Sequence, residues 1–299
     1  MISAEQVRAT VADLLGAAVT TVEHVPGSVA NQDFAVDLVD GARFVLKAGP
    51  SAEIAAEAWT CQQLTVLGVP VPEVVAVDLD PTRLGLPFLI MTFVEGTPSA
   101  DGEVARDAGK WFRQVHAEEL SGWGPLIDAA DHLGTSHGRG RYQSCREAIA
   151  AVLSGLPALV SAGVLDKPLA NAARDLVSVE EILSYQGPGV LLHNDLKPAH
   201  LFGVGNGRRR HLSAIIDWGD ASVGDPAADL ARLSMSGPTV TAAFLEGYGV
   251  RINPDLSERL ARYRLLWNIG ALSYEYRAGG DWFDAYRDRI RDEAALLAR

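Results

Sequence analysis

The chain has 299 residues, 48% of them hydrophobic, with 38 acidic against 26 basic side chains and a formal net charge of −12. That length and apolar content allow a substantial core in two lobes or domains. The acidic balance excludes a nucleic-acid partner, which would call for concentrated Lys and Arg; it suits a cationic partner, or solubility alone.

Ser3-Ala4-Glu5-Gln6 reads as a capping box opening a helix to about Ala17, with Val7, Val11, Leu14 and Leu15 on one face. Glu5 and Arg8 inside that pattern leave no signal-peptide signature, and no apolar run approaches the roughly 18–20 residues of a membrane span, so a cytoplasmic protein is expected. Residues 20–48 then alternate as three strands, around Thr21 to Val25, Phe34 to Leu38 and Phe44 to Lys47, with Asp40-Gly41 turning the second hairpin. Between the first two lies Pro26-Gly27-Ser28-Val29-Ala30-Asn31-Gln32-Asp33. Its small residues let backbone N–H groups approach phosphates, or form a plain hairpin turn.

Lys47 ends an apolar strand and precedes a helix from about Ser51 to Leu67. A Lys so placed neutralises nucleotide phosphates if a helix carboxylate holds its flexible stem, and Glu53 and Glu57 lie one turn apart on the same face. Val69-Pro70-Val71-Pro72-Glu73 closes the helix, a strand over Val74 to Val77 follows, and Pro87 to Gly96 runs from a buried strand into a glycine.

From Asp101 the pattern is mostly helical. Residues 101–120 put Val104, Ala108, Trp111, Phe112 and Val115 on one stripe and leave His116 at the helix end. The glycine-rich stretch within Asp128 to Arg141 is either a lid over a substrate or a connection. Helices at about 141–155 and 167–185 follow. Cys61 and Cys145 fall in helical stretches without a Cys-x-x-Cys pattern and read as reduced core thiols.

The run from Leu191 to Leu201 gathers His193, Asp195, Lys197 and His200 after an apolar strand, and Ile215-Ile216-Asp217-Trp218-Gly219-Asp220 is a second strand ending in an acidic turn. Two such turns suit phosphoryl transfer, which needs a base to orient a hydroxyl and hard ligands for the metal on the nucleotide phosphates. Gly205-Asn206-Gly207 with Arg208-Arg209-Arg210 reads as the hairpin tip between them, solvated or a basic patch.

His193-x-Asp195-x-x-x-x-His200, followed by Asp217-Trp218-Gly219 and Gly224-Asp225-Pro226-x-x-Asp229-Leu230, resembles the signature of the aminoglycoside phosphotransferase family, small-molecule kinases with a protein-kinase-like fold. The commoner pattern has Asn where this chain has His200. Histidine there resembles the branch that phosphorylates the 2″-hydroxyl of aminoglycosides, and also the macrolide kinases. The likeness extends from about residue 20 to about residue 235.

The resemblance implies an α+β, bilobal protein-kinase-like fold: a small antiparallel-sheet N-lobe over 1–95 and a larger, mainly helical C-lobe over 96–299. It implies Asp195 as catalytic base, with His200 and Asp217 holding Mg²⁺ on the phosphates of ATP or GTP. A histidine ligand leaves the metal preference open toward manganese, and a loop-pinning core histidine is the alternative for His200. Lys197 would neutralise the γ-phosphate during transfer or else lie exposed. Lys47 paired with Glu57 would bind phosphates, with the Ser28 loop covering the nucleotide. Met91 would line the back of the base pocket, while Thr92 offers a carbonyl and Val94 an N–H and a carbonyl to the base edge. His193 would brace the catalytic loop, and Asp225 and Asp229 would fix the loops around it.

The last third reads as three helices, around Val240 to Tyr248, Leu256 to Arg277 and Trp282 to Leu297. Tyr263, Trp267, Tyr274 and Tyr276 supply aromatic surface; Glu275, Asp281 and Asp284 supply acids. With Asp220, the residues Tyr274, Glu275 and Asp281 make a candidate acceptor site for an amino sugar, or are core aromatics beside solvated charges. The expected function is phosphorylation of a hydroxyl on an aminoglycoside antibiotic, as a resistance kinase. Macrolide kinases, metabolite kinases acting on sugars, choline or amino acids, and a kinase-like binding or regulatory protein are the alternatives. The intact set Lys47, Glu57, Asp195, His200 and Asp217 speaks against the last.

Overall fold

The computed structural model describes residues 1–26, 31–131, 133–135, 138–206 and 209–299. The chain begins with α1 (Ala4–Leu15), β1 (Val19–Val25), β2 (Gln32–Leu38), β3 (Arg43–Ala48), α2 (Ser51–Val66), β4 (Val74–Asp78), β5 (Phe88–Thr92) and β6 (Thr97–Pro98). It continues through α3 (Gly102–Val115), β7 (Trp123–Ile127), β8 (Arg139–Tyr142), α4 (Cys145–Leu153), α5 (Leu156–Ser161), α6 (Lys167–Val177), α7 (Glu180–Leu183) and β9 (Val190–Leu192). After a 3-10 turn at Pro198–His200 come β10 (Leu201–Asn206), β11 (Arg209–Ile215), β12 (Ser222–Gly224), α8 (Ala227–Ser234), α9 (Pro238–Tyr248), α10 (Pro254–Ala278) and α11 (Phe283–Leu297). This is the α+β architecture that the sequence leads one to expect.

Packing divides the chain into two compact units. The first comprises Met1–Ser99, Ile127–Gly138 and Ala199–Ala221; the second comprises Ala100–Leu126, Arg139–Pro198 and Ser222–Arg299. Unit membership therefore follows packing and not sequence order.

In the first unit an antiparallel sheet runs in the order β1-β2-β3-β5-β4. Strand alternation decides what each face carries. Phe34, Val36, Leu38, Leu46, Ala48, Phe88 and Ile90 point to one face and build a core with Val7 and Val11 of α1. The Ser3–Gln6 capping box opens α1, and Gly16 at φ 63° ends it two residues before the expected limit. On the other face Leu89 and Met91 pack with Ile54 of α2. Lys47 is the cross-strand partner of Leu89, so it shares that face. Strands β10 and β11 form a hairpin joined by β6. Its Arg210 donates to Thr97 Oγ1 and the Gly203 carbonyl, which makes it part of the hairpin; Gly207 and Arg208 lie outside the described residues.

Of the glycine-rich stretch read as lid or connection, Gly134, Thr135 and Gly138 lie against α2. Trp59 Nε1 and Gln63 Nε2 both donate to the Thr135 carbonyl, at 2.9 and 2.8 Å, and Gly134 N–H donates to Gln62 Oε1. Gly138 lies so close to the Trp59 ring that a Cβ there would come within 2.4 Å of it.

In the second unit α3 packs on α9 with backbones in near contact. A Cβ on Gly109 would meet the Phe244 carbonyl oxygen at 2.1 Å, and one on Gly247 would meet the Arg106 carbonyl oxygen at 1.9 Å. A short sheet runs β8-β7-β12-β9, and α10 packs against α11, α8 and α4. Among the described residues no helix is long and apolar enough to cross a membrane.

Candidate active site

Each unit carries its own polar cluster. In the first, Lys47 sits mid-sheet with its side chain 7% exposed, and its Nζ donates at 2.6 Å to both Glu57 Oε2 and Asp217 Oδ1. Helix α2 turns Glu57 inward, 2% exposed, whereas Glu53 one turn earlier is only partly buried, so Glu57, which the family resemblance pairs with Lys47, is the one that meets it. Asp217 takes φ 67° at the turn after β11, and its Oδ2 lies 3.1 Å from Nε2 of the buried His200.

Burial opposes ionisation of Lys47, yet the facing Glu57 and Asp217 carboxylates outweigh it and hold the ammonium well above its ordinary range. Burial likewise opposes the charge on Asp217, but Lys47 and His200 together hold its carboxyl far below the usual range. Asp33, the cross-strand partner of Lys47 on β2, belongs to the same neighbourhood, and burial raises its carboxyl.

This donor set fits a divalent cation. Ligand atoms at about 2.1 Å from one octahedral ion stand about 3 Å apart, which is the His200–Asp217 separation. The Asp217 side chain is 43% exposed and can be reached. One imidazole nitrogen beside one carboxylate is less specifically a magnesium set than two oxygens.

In the second unit Asp195 Oδ2 accepts from Lys197 Nζ at 2.6 Å, and Oδ1 accepts from Nε of Arg232 at 2.8 Å, with Nη2 of the same guanidinium also 2.8 Å away. The backbone beneath is anchored by Asp229, which is fully buried on α8. Its two oxygens accept from His193 N–H at 2.8 Å and Asn194 N–H at 2.7 Å. Asn194 takes φ 67°, and Asp195 N–H donates to His193 Nδ1. His116, at the end of α3 as its sequence position suggests, contacts Asp229 Oδ2 and the Tyr248 hydroxyl. Asp225 accepts from Ala227 N–H, Arg259 and the Tyr263 hydroxyl, tying α8 to α10.

Met91 is buried on β5 beside α2. Thr92 Oγ1 accepts from Glu73 N–H, and Phe93 N–H donates to the Arg43 carbonyl, so Val94 lies just past that rung of the sheet. Ser28 lies outside the described residues. Asp220 is exposed in the first unit; Tyr274, Glu275 and Asp281 gather at the α10–α11 junction of the second. There Glu275 accepts from Trp282 N–H, while Tyr274 and Asp281 are exposed.

Sequence reasoning passes over Arg232 and Tyr286. Arg232 stands one helical turn after Asp229, a spacing that could have found it. The Tyr286 ring lies 6.3 Å from that of Trp267, and burial, with Glu275 nearby, raises its hydroxyl.

No curated protein sequence matches the chain. Solved structures do. The ternary complex of a thermostable mutant of the aminoglycoside phosphotransferase APH(4)-Ia with ADP and hygromycin B is 18% identical, with TM-score 0.72 over 98% of both chains. The GDP and kanamycin complex of APH(2″)-IIIa is 18% identical, with TM-score 0.73 over 96% of this chain and 98% of that one. The macrolide 2′-phosphotransferase MphH from Brachybacterium faecium is 20% identical, with TM-score 0.68 over 94% and 96%. At such identity these likenesses establish the kinase-like fold. Residues 21–265 match the profile of the Phosphotransferase enzyme family. That span takes in Lys47, Glu57, Asp195, His200, Asp217, Asp229 and Arg232, and the chain belongs to this family, whose members are kinases that place phosphate on hydroxyl groups.

Proposed function

We propose that the protein transfers the γ-phosphate of ATP or GTP to a hydroxyl of a small molecule, most simply an aminoglycoside. The observation that carries this reading is Lys47, a buried cation held between Glu57 and Asp217, because it fixes a positive charge for phosphate oxygens. Lys47 and the backbone of Thr92 and Val94, with Met91 lining the base, would hold the nucleotide on the lobe spanning 1–95. The lobe spanning 96–299 would bind the acceptor. His200 and Asp217 would hold a divalent cation, Mg²⁺ or Mn²⁺, which neutralises phosphate charge as transfer proceeds. Asp195 orients the hydroxyl and takes its proton as the acceptor oxygen bonds to the γ-phosphorus and the β–γ bridging P–O bond breaks toward the diphosphate. Lys197 follows the charge on the transferring group. Dependence on nucleoside triphosphate supports a cytoplasmic site of action.

The aminoglycoside reading is supported by Glu275 and Asp281 beside Tyr274, and by the hygromycin B and kanamycin held in two solved relatives. As an aminoglycoside kinase the protein would confer antibiotic resistance. One observation favours a second reading. Lys197 and Arg232 both flank Asp195, and two cations beside the acceptor hydroxyl disfavour a polycation, which suits a macrolide or an ordinary metabolite such as a sugar. A panel of aminoglycosides, macrolides and metabolites with ATP and GTP tests both, read as phosphorylated product. Asp195→Asn should lose at least about 100-fold in kcat; undiminished turnover would sink the assigned mechanism.

A further inference from the structure

We infer that Arg232 and Trp267 are positioning residues that hold the Oδ1 side of the Asp195 carboxylate and so aim it at the acceptor hydroxyl. This rests on the reading of Asp195 as the base.

The two oxygens of Asp195 are held in different ways. Oδ1 accepts from Nε of Arg232 at 2.8 Å, and the guanidinium's Nη2 lies at the same distance as an ion-pair contact. The guanidinium fork of Arg232 thus pins that oxygen in place. The fork is itself constrained: the Arg232 side chain is 11% exposed, and its guanidinium lies over the Trp267 indole, 4.1 Å from the ring centre. Trp267 in turn donates from Nε1 to the carbonyl of Asn194 at 2.8 Å, the residue before Asp195.

The circuit closes on one rigid element. Helix α8 carries Asp229, which holds the backbone N–H groups of His193 and Asn194, and three residues later Arg232, which holds the carboxylate. Loop backbone and carboxylate are thus registered to the same helix, with α10 supplying Trp267. Oδ2, by contrast, is held by Lys197, a flexible side chain one-third exposed and only two residues away. An ammonium on such a stem can move to an arriving phosphate. Arg232 cannot leave as easily, because its charge would stay nearly buried without a partner. Oδ1, pinned by Arg232, therefore keeps the carboxylate aimed.

The test uses the full chain with ATP or GTP and water as acceptor, read as release of inorganic phosphate, so no identified substrate is needed. Arg232→Gln should lower kcat by about 10- to 100-fold, the cost of a misplaced catalytic group, while KM for the nucleotide stays within about 2-fold. Arg232→Lys should fall between Gln and wild type. Arg232→Ala should recover part of its rate when guanidinium is added at millimolar concentration, a response that lost packing alone does not give. Trp267→Phe, which keeps a ring but loses the bond to Asn194, should lower kcat by a smaller factor.

Unchanged kcat in Arg232→Gln, a loss confined to nucleotide KM, or no guanidinium rescue in a folded Arg232→Ala would overturn the inference. Asp195→Asn separates the two failures. If it is inactive while Arg232→Gln is not impaired, only the positioning role falls; if it releases phosphate undiminished, the base assignment falls and the inference with it.

Discussion

Lys47 Nζ and Glu57 Oε2 meet at 2.6 Å with the two side chains 7% and 2% exposed, an ion pair withdrawn from water on the α2 face of the sheet. Removing one partner of such a pair strands the other. Lys47→Met should cost about 3–5 kcal/mol of stability, measured by urea denaturation. Adding Glu57→Leu to it should restore much of that loss, because no carboxylate then remains buried alone. Neither variant should transfer phosphate.

Asp229 anchors the backbone N–H groups of His193 and Asn194 and is fully buried. Asp229→Ala leaves both donors without an acceptor, at about 1–3 kcal/mol each, so the melting temperature should fall clearly and kcat with it. Asp229→Asn keeps one carbonyl oxygen and should be milder in both measurements. An Ala variant as stable and active as wild type would show that water replaces the carboxylate without cost.

His200 should set the choice of metal. With an imidazole nitrogen and a carboxylate as the protein donors, manganese should support turnover at least as well as magnesium. His200→Asn offers a harder oxygen and should raise the ratio of Mg²⁺- to Mn²⁺-supported kcat. The comparison is a titration of each metal at fixed nucleotide, and an unchanged ratio would remove His200 from the metal's surroundings.

Cys145 gives a pH dependence whose sign is fixed. Burial, with Asp225 nearby, pushes its thiol up to about 11, against an ordinary value near 9. The folded state holds this proton more tightly than the unfolded state, so the stabilisation is complete below the unfolded value and is lost as pH rises through the folded one. Melting temperature should therefore fall between about pH 9 and 11, and Cys145→Ala should flatten that limb. The thiol should resist disulfide reagents at pH 8 until the protein unfolds.

Legibility in the sequence followed the range of the contacts involved. The capping box of α1, the alternation that puts Lys47 opposite the apolar core face, and the three terminal helices rest on local pattern; the helices observed at Pro238–Tyr248, Pro254–Ala278 and Phe283–Leu297 begin and end within about two residues of expectation. Strand β7 was hidden, because Ser121-Gly122-Trp123-Gly124-Pro125 reads as a break after the helix, whereas Gly124 and Pro125 pair with Val223 and Ser222, about a hundred residues on, and β8 lies on the other side of the strand. The stretch read as one helix over 167–185 is interrupted after Val177, and α5 at Leu156–Ser161 follows directly on α4 where a helix end was expected. Arg232 escaped for a related reason: an arginine on a short amphipathic helix reads as a surface charge, and only tertiary structure buries it against Trp267.

The first unit is assembled from three separated pieces of chain, and its pivotal lysine reaches across 170 positions to Asp217. During synthesis the first 99 residues can form their sheet, but Trp59 lacks the Thr135 carbonyl and Lys47 lacks its second carboxylate until residues up to 217 have left the ribosome. Closing so long a loop is costly and slow. The Lys47–Glu57–Asp217 charge arrangement is therefore a late event of folding, completed after most of the polypeptide has been made, and an N-terminal fragment ending at residue 99 would be a sheet without Asp217.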